Sequence, residues 1–249
     1  MTLPRVTGDG PAYEAIIEDI WLQGRTAYGG ASAAVALTAI KAAFHDLPPL
    51  RSAQVAFIGP LAGEVTATPV LLRRGKNSAF IGCDVVGRDG IGIRTLFLFM
   101  APRDSAIAHL DLPMPDAGHP EDALVDPSKL PQGFLTNFDL SHWGNEPAGF
   151  VRWCRLRARD GLDPEIELMA IADALPPAAM ALAKAWGPIS TTTWQLNLVT
   201  DAPRTRDGWW LLRADTQHAG KGSSSQKMTI WNRDGAPIAT ALQSVALFV

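Results

Sequence analysis

The chain writes one turn twice: Gly87-Arg88-Asp89-Gly90 and Asn232-Arg233-Asp234-Gly235, each set between apolar alternating runs. The two arginines stand 145 residues apart. Gly75-Lys76 and Gly220-Lys221 repeat at the same separation, as do Ser78 with Ser223 and, beyond the turns, Thr95 with Thr240. A register shared in this way marks a duplicated unit, which restricts the possible folds more tightly than local propensity does. With 249 residues in all, each copy has just over a hundred, enough to bury a core.

Each copy shows the same order of elements. In the first, Tyr13–Leu22 has strand character and Thr26–Asp46 that of an Ala-rich helix. The helix opens on Gly29-Gly30 and ends before Pro48-Pro49. It has almost no large polar side chains, so it is expected to be wrapped on most sides. Strands are predicted over 52–59, 63–73, 77–87 and 91–100, with turn residues between them. Residues 103–133 change character: proline-rich, acidic and without a period, they are expected to form a linker across the surface. In the second copy, strand-like Gly133–Trp143 and Gly149–Arg159 precede a helix start at Asp163-Pro164-Glu165. Here Asp can cap, Pro suits the first helical position, and the glutamates complement the helix dipole. That helix is expected to reach about Leu175, where Pro176-Pro177 interrupts it, with another helical turn or two over 178–187. Strands follow over 190–199, 208–218, 223–233 and 237–248. Short Asp-Gly turns close hairpins but cannot serve parallel crossovers, so the sheets are predicted to be antiparallel.

Composition removes several classes of function. The chain is 47% apolar and 19% charged with net charge −3, as in ordinary globular proteins, and without a long basic run nucleic acid is not an expected partner. No apolar stretch approaches membrane-span length. The first twenty residues carry Asp9, Glu14, Glu18 and Asp19 and no apolar signal core, so a cytoplasmic location is expected. Cys83 and Cys154 form no CxxC and lie in apolar runs, as buried reduced thiols do. The five histidines have no metal-ligand spacing, so neither a metal nor another cofactor is predicted.

Several stretches together resemble the double hotdog acyl-CoA thioesterases of the thioesterase II type and their relatives. In the first copy these are TAYGGASAAVALTAI and VLLRRGKNSAFIGCDVVGRDG; in the second, ELMAIADALPPAAM, WGPISTTTWQLNLV, GWWLL and RDGAPIATALQSVAL. The resemblance implies an α+β tandem hotdog: two long apolar helices, each wrapped by a curved antiparallel sheet, with units 1–102 and 134–249 joined by 103–133. It implies hydrolysis of fatty acyl-CoA to free acid and CoA, with acyl-CoA as the partner and a homo-oligomer as the usual state of such relatives. It also implies a site whose Asp, hydroxyl and Gln all come from the second copy and activate a water. Matched motif by motif, these are Asp173 in IADALPP, Thr191 in ISTTTWQLNLV and Gln243 in IATALQSV. The threonine strand carries TTWQ where the thioesterase II pattern has a DHS-type run.

Each candidate has a chemistry of its own. Asp173 continues a helical stripe with Ile166, Met169 and Ala170. A carboxylate there is costly to bury unless paired or used, and burial raises its pKa toward that of a general base. The bland alternative is a solvated Asp at a helix end. Gln243 alternates with Ala241, Val245 and Leu247, and its amide can donate and accept at once. Subtracting 145 from it gives Leu98, so the first copy lacks the amide and a single site is expected. Thr191, Thr192 and Thr193 compete for the hydroxyl role. Alternation puts Thr192 on the face of Trp194, Leu196 and Leu198, whereas a bulge would reset the parity in favour of Thr191. Arg73, Arg74 and Lys76 could form a phosphate-binding rim or simply be solvated turn charges. Two other functions fit the same fold: a non-catalytic acyl-CoA binder, and an enoyl-CoA hydratase. The hydratase is disfavoured because residues 160–200 hold no histidine.

Overall fold

The computed structural model describes residues 2–141, 145–184 and 187–248. The end of the predicted strand 133–143, with His142, and residues 185–186 of the stretch after the diproline lie outside the described residues. In the first copy the strands are β1 (Val6–Thr7), β2 (Tyr13–Ile17), the small hairpin β3 (Leu22–Gln23) and β4 (Thr26–Ala27), then β5 (Leu50–Phe57), β6 (Gly63–Arg74), β7 (Ser78–Gly87) and β8 (Gly90–Met100). The second copy has β9 (Phe138–Leu140), β10 (Asn145–Glu146), β11 (Gly149–Leu156), β12 (Ile189–Leu198), β13 (Trp210–Gly220), β14 (Ser223–Asn232) and β15 (Pro237–Leu247). Helix α1 (Gly29–Ala43) precedes β5, and α2 (Pro164–Ile171) precedes β12.

One large antiparallel sheet contains every strand except β3 and β4. Its order is β1-β2-β6-β7-β8-β5-β12-β15-β14-β13-β11-β10, with β9 also on β11. The copies meet at β5 and β12, where Gln54 pairs with Gln195 and Ser52 Oγ donates to Asn197 Oδ1 at 3.1 Å. Outward from this seam the strands run β8-β7-β6-β2 on one side and β15-β14-β13-β11 on the other, so a local twofold relates the two copies.

The 145-residue register describes β7 and β14, whose limits it reproduces, but it slips past the turns. The loop from Gly87 to Gly90 is one residue shorter than that from Asn232 to Ala236. Ile81 pairs with Phe97, while its counterpart Gln226 pairs with Gln243. The equivalent of Gln243 is therefore Phe97, not Leu98. Thr95, buried on the inner face with its hydroxyl donating to Cys83 O at 2.8 Å, is not the counterpart of Thr240, which lies on the other face from Gln243.

Helix α1 is enclosed, with Gly30 through Leu37, Ala39 and Ile40 all buried. Helix α2 is only eight residues long, so the expectation of two long helices fails for the second copy. Asp163 caps it, its side chain accepting from the backbone N–H groups of Glu165 and Ile166. It ends at Ile171 rather than Leu175. Pro176 disfavours the helical conformation at Leu175, and neither proline can donate to the ladder. The helices run antiparallel: Tyr28 Oη donates to Ala170 O at 2.8 Å at one end, and Lys41 Nζ reaches Asp163 at 2.6 Å and Glu165 at 2.7 Å at the other. Residues 101–119 have no regular element, but they are anchored. The indoles of Trp231 and Trp153 donate to Leu112 O at 2.8 Å and Ala117 O at 3.0 Å, over a small cluster that also holds Val151, Trp209 and Leu211.

Candidate active site

Asp173 sits one residue past the Ala172 C-cap of α2, in the turn that the diproline forces, rather than on the helix itself. This places its carboxyl against the amino end of α1. A Cβ on Gly29 would fall 2.5 Å from Asp173 Oδ2, and one on Gly30 would fall 2.7 Å from Ala170 O. The Gly-Gly pair thus lets the start of one helix close onto the end of the other. The Gly30 N–H lowers the pKa of the carboxyl from this side, and the helix dipole adds positive potential at the same point.

From the sheet side, Gln243 Nε2 donates to Asp173 Oδ1 at 2.6 Å. The other end of that amide is also occupied: Gln243 Oε1 accepts from Gln226 Nε2 at 2.7 Å, and Gln226 Oε1 accepts from the Ala178 N–H at 2.6 Å. Gln226 is wholly buried and Gln243 nearly so. Burial raises the Asp173 pKa from 3.8 to about 7, against the opposing pull of the Gln243 amide and the Gly30 N–H. Tyr28 lies nearby, stacked on Phe134 at 4.4 Å; burial first, and Asp173 second, push its phenol well above its ordinary value.

The threonine question turns on a bulge. Trp194 pairs with Gln243 on the inner face, and the register shifts between Thr191 and Thr193. Thr193 then faces Ser244 on the outside, while Thr191 pairs with Val245 on the inner face, two residues beyond Gln243. Thr192 donates its hydroxyl to Ser244 O at 2.9 Å and is exposed. The structure therefore joins Asp173 to Gln243 directly and puts Thr191 on their side of the sheet. Among the described residues no hydrogen bond links Thr191 to either.

Sequence reasoning missed Gln226. It is an amide among apolar alternating residues of β14, in register with Ile81 of the first copy, and that mismatch was the available signal. Arg74 of the basic hairpin binds Asp46, through its carbonyl and its carboxylate, both at 2.9 Å. Both cysteines are free and buried, and burial pushes each thiol up to about 12. A cavity of about 750 Å³ lies on the outer face of the sheet, lined in part by Val70, Leu72, Leu96 and Leu242, and Asp173 is not part of it.

Residues 17–100 match the family model of the acyl-CoA thioesterase N-terminal domain, and residues 113–247 match that of the acyl-CoA thioesterase C-terminal domain. The chain belongs to the acyl-CoA thioesterase family. Thioesterase chemistry is thereby supported in broad terms. No curated protein matches the sequence. Among solved structures, a conserved protein of unknown function with the hot dog fold from Alicyclobacillus acidocaldarius superposes with a TM-score of 0.89 at 20% identity, covering 98% of this chain and 96% of the other. The tesB protein of Mycobacterium avium subsp. paratuberculosis gives 0.78 at 18%, covering 97% and 95%. The acyl-CoA thioesterase II TesB2 of Mycobacterium marinum gives 0.72 at 15%, also covering 97% and 95%. At these identities the likeness is one of fold, and the fold of this family member is of the hotdog type. Among the described residues no helix is long and apolar enough to cross a membrane.

Proposed function

We propose that the chain hydrolyses acyl-CoA thioesters, with Asp173 as general base and Gln243 and Thr191 holding the attacking water. One observation carries this reading. A carboxyl held near pKa 7 by burial is bonded directly to an amide on the last strand. Such a group is part-ionised at neutral pH, where it can take a proton and return it.

In this scheme water attacks the thioester carbonyl carbon and passes one proton to Asp173. The second Nε2 hydrogen of Gln243, not used on Asp173, is available to the water or to the developing oxyanion. The tetrahedral intermediate collapses as the C–S bond breaks. The CoA thiolate leaves with the proton from Asp173, which restores the carboxylate. The products are free acid and CoA thiol. No covalent enzyme intermediate is needed. Two hotdog units, 1–102 and 134–249, joined by 103–133, are the organisation we assign; the mirrored strand order about the β5–β12 seam supports it.

The test is thiol release from acyl-CoA of graded chain length, by the native chain and by Asp173→Asn. Loss of a few orders of magnitude in turnover is expected for the variant, the scale of losing a general base. Ligand-induced thermal stabilisation by acyl-CoA without thiol release would identify a binder instead.

A further inference from the structure

We propose that Gln226 is a positioning residue of this site: it fixes the direction of the Gln243 amide, and through it keeps Asp173 in the form that accepts a proton. The inference rests on the reading of Asp173 as a base, and it follows from the one-way sense of a three-bond chain.

A backbone N–H can only donate. Ala178, in the 3-10 turn Ala178–Ala181 just after the diproline, presents its N–H to Gln226 at 2.6 Å. Gln226 must therefore turn its oxygen toward Ala178 and its NH₂ toward Gln243, 2.7 Å away. Gln243 must meet that donor with its own oxygen, which leaves its NH₂ facing Asp173 at 2.6 Å. The direction of each amide is inherited from the one before. An ionised carboxylate completes the chain without conflict. A protonated Asp173 offering its proton to Gln243 would require both amides to flip, which would set Gln226 NH₂ against the Ala178 N–H. The chain thus favours ionised Asp173 against the desolvation that raises its pKa.

Of the other groups near the carboxyl, the Gly30 N–H also favours the charged form, but it is backbone and is untouched by a change at Gln226. From α1 come the Gly30 N–H and the Tyr28 phenol, and behind Tyr28 lies the Cys154 thiol of β11. Burial pushes the phenol well above its ordinary value and the thiol up to about 12, so both remain neutral through the working range. From the sheet, among the described residues, Gln243 of β15 bonds the carboxyl and Gln226 of β14 bonds Gln243. The strand position is otherwise hydrocarbon: Ile81 occupies the equivalent place in the first copy and pairs with Phe97. An amide with no exposed surface at such a position is costly unless every bond is made.

Two substitutions separate this role from mere packing. Gln226→Leu removes both bonds and frees the Gln243 amide to rotate. Gln226→Glu, while protonated, reproduces the pattern: its C=O accepts from Ala178 and its O–H donates to Gln243. Once ionised it can no longer donate. The measurement is the titration of the Asp173 carboxyl by ¹³C NMR in Asp-labelled protein, its signal identified by disappearance in Asp173→Asn, run beside pH profiles of thiol release. In Gln226→Leu the Asp173 midpoint should rise by about one pH unit, as expected for loss of a bond to the charged form. The acid limb of kcat/KM should move with it, and KM should change little. Gln226→Glu should stay near native at low pH and acquire a descending limb at high pH that the native enzyme lacks. An unmoved Asp173 midpoint in Gln226→Leu, or a Gln226→Glu profile with no new limb, overturns the proposal, even if stability falls. If Gln226→Leu does not fold, the presence or absence of that limb, in carboxyl titration or turnover, decides alone. Should the native chain release no thiol, the base reading fails, while the NMR titration still decides whether Gln226 governs Asp173.

Discussion

Replacing Asp173 by Asn tests the buried carboxyl through stability as well as turnover. The native pKa of about 7 lies above the ordinary 3.8, so folding favours the protonated form. The sign follows: this contribution is fully present below about pH 3.8 and is lost as pH rises through about 7. Each pH unit between those limits is worth roughly 1.4 kcal/mol, so from pH 5 to pH 8.5 the native chain should lose roughly 3 kcal/mol from this group. The figure is an upper one, because Asp173 keeps partial contact with solvent. Asn cannot ionise, and its stability should lack this component. Its NH₂ must, however, face either the Gln243 NH₂ or the Gly30 N–H, both donors, at a constant cost of about 1–3 kcal/mol. At pH 5 the variant should therefore be the less stable protein. By pH 8.5 the gap should close or reverse, with the relative Tm moving by roughly 6–10 °C for a chain of this size. Thermal unfolding of both proteins across that range, followed by tryptophan fluorescence, measures it. Parallel pH dependences would show that Asp173 titrates at an ordinary value and would remove the basis for its assignment as a base.

Three further outcomes follow from packing. Gly29→Ala places a methyl 2.5 Å from Asp173 Oδ2 and 2.9 Å from the Phe57 ring, so thiol release should fall at least about tenfold with the circular dichroism spectrum unchanged; full activity would show that Asp173 tolerates displacement. Lys41→Met leaves Asp163 and Glu165 without their shared cation, and should cost about 1–3 kcal/mol in a denaturant titration. The pair Trp153→Phe and Trp231→Phe removes the two indole bonds to Ala117 and Leu112, worth about 2 kcal/mol together. Cleavage within 101–119 by a dilute protease should accelerate roughly thirtyfold while thiol release is unchanged.

The parts of this molecule legible in its sequence are those set by local chemistry. Asp163-Pro164 marked the start of α2, the Asp-Gly turns marked hairpins, and the alternation of Ala241, Gln243 and Val245 marked an inward face. What escaped was set by long-range geometry. The end of α2 depends on how far a following proline is felt upstream, and periodicity placed Asp173 on the helix when it lies in the turn beyond. The one-residue slip after the second turn is invisible in a fixed offset, yet it decides that Phe97, not Leu98, corresponds to Gln243. The Thr191–Thr193 bulge could be foreseen as an option but not selected, because only pairing with β15 shows which threonine shares a face with Gln243. The contribution of Gly29-Gly30 comes from the other copy, where the sequence alone shows the pair only as a helix start.

That cross-copy contact also explains why duplication yields one polar site. The local twofold brings the start of α1 to the end of α2 and the start of α2 to the end of α1. At the first junction glycines admit a carboxyl, and a buried amide on β15 reaches it, itself held by a second buried amide on β14. At the second, Lys41 is held between Asp163 and Glu165, and Glu165 also accepts the Leu50 N–H at 2.7 Å. The sheet positions that face it by symmetry are Ile81 and Phe97, both wholly buried. One junction is thus closed by a satisfied ion cluster against hydrocarbon, the arrangement stability alone would select. The other keeps a carboxyl, partly open to solvent, bonded through two buried amides, where hydrocarbon would pack without needing any hydrogen bond. The asymmetry between the two copies supplies an internal control: the corresponding strand positions of the first copy are filled by Ile81 and Phe97, so the sheet does not itself require Gln226 or Gln243, as the role proposed for them with Asp173 would lead one to expect.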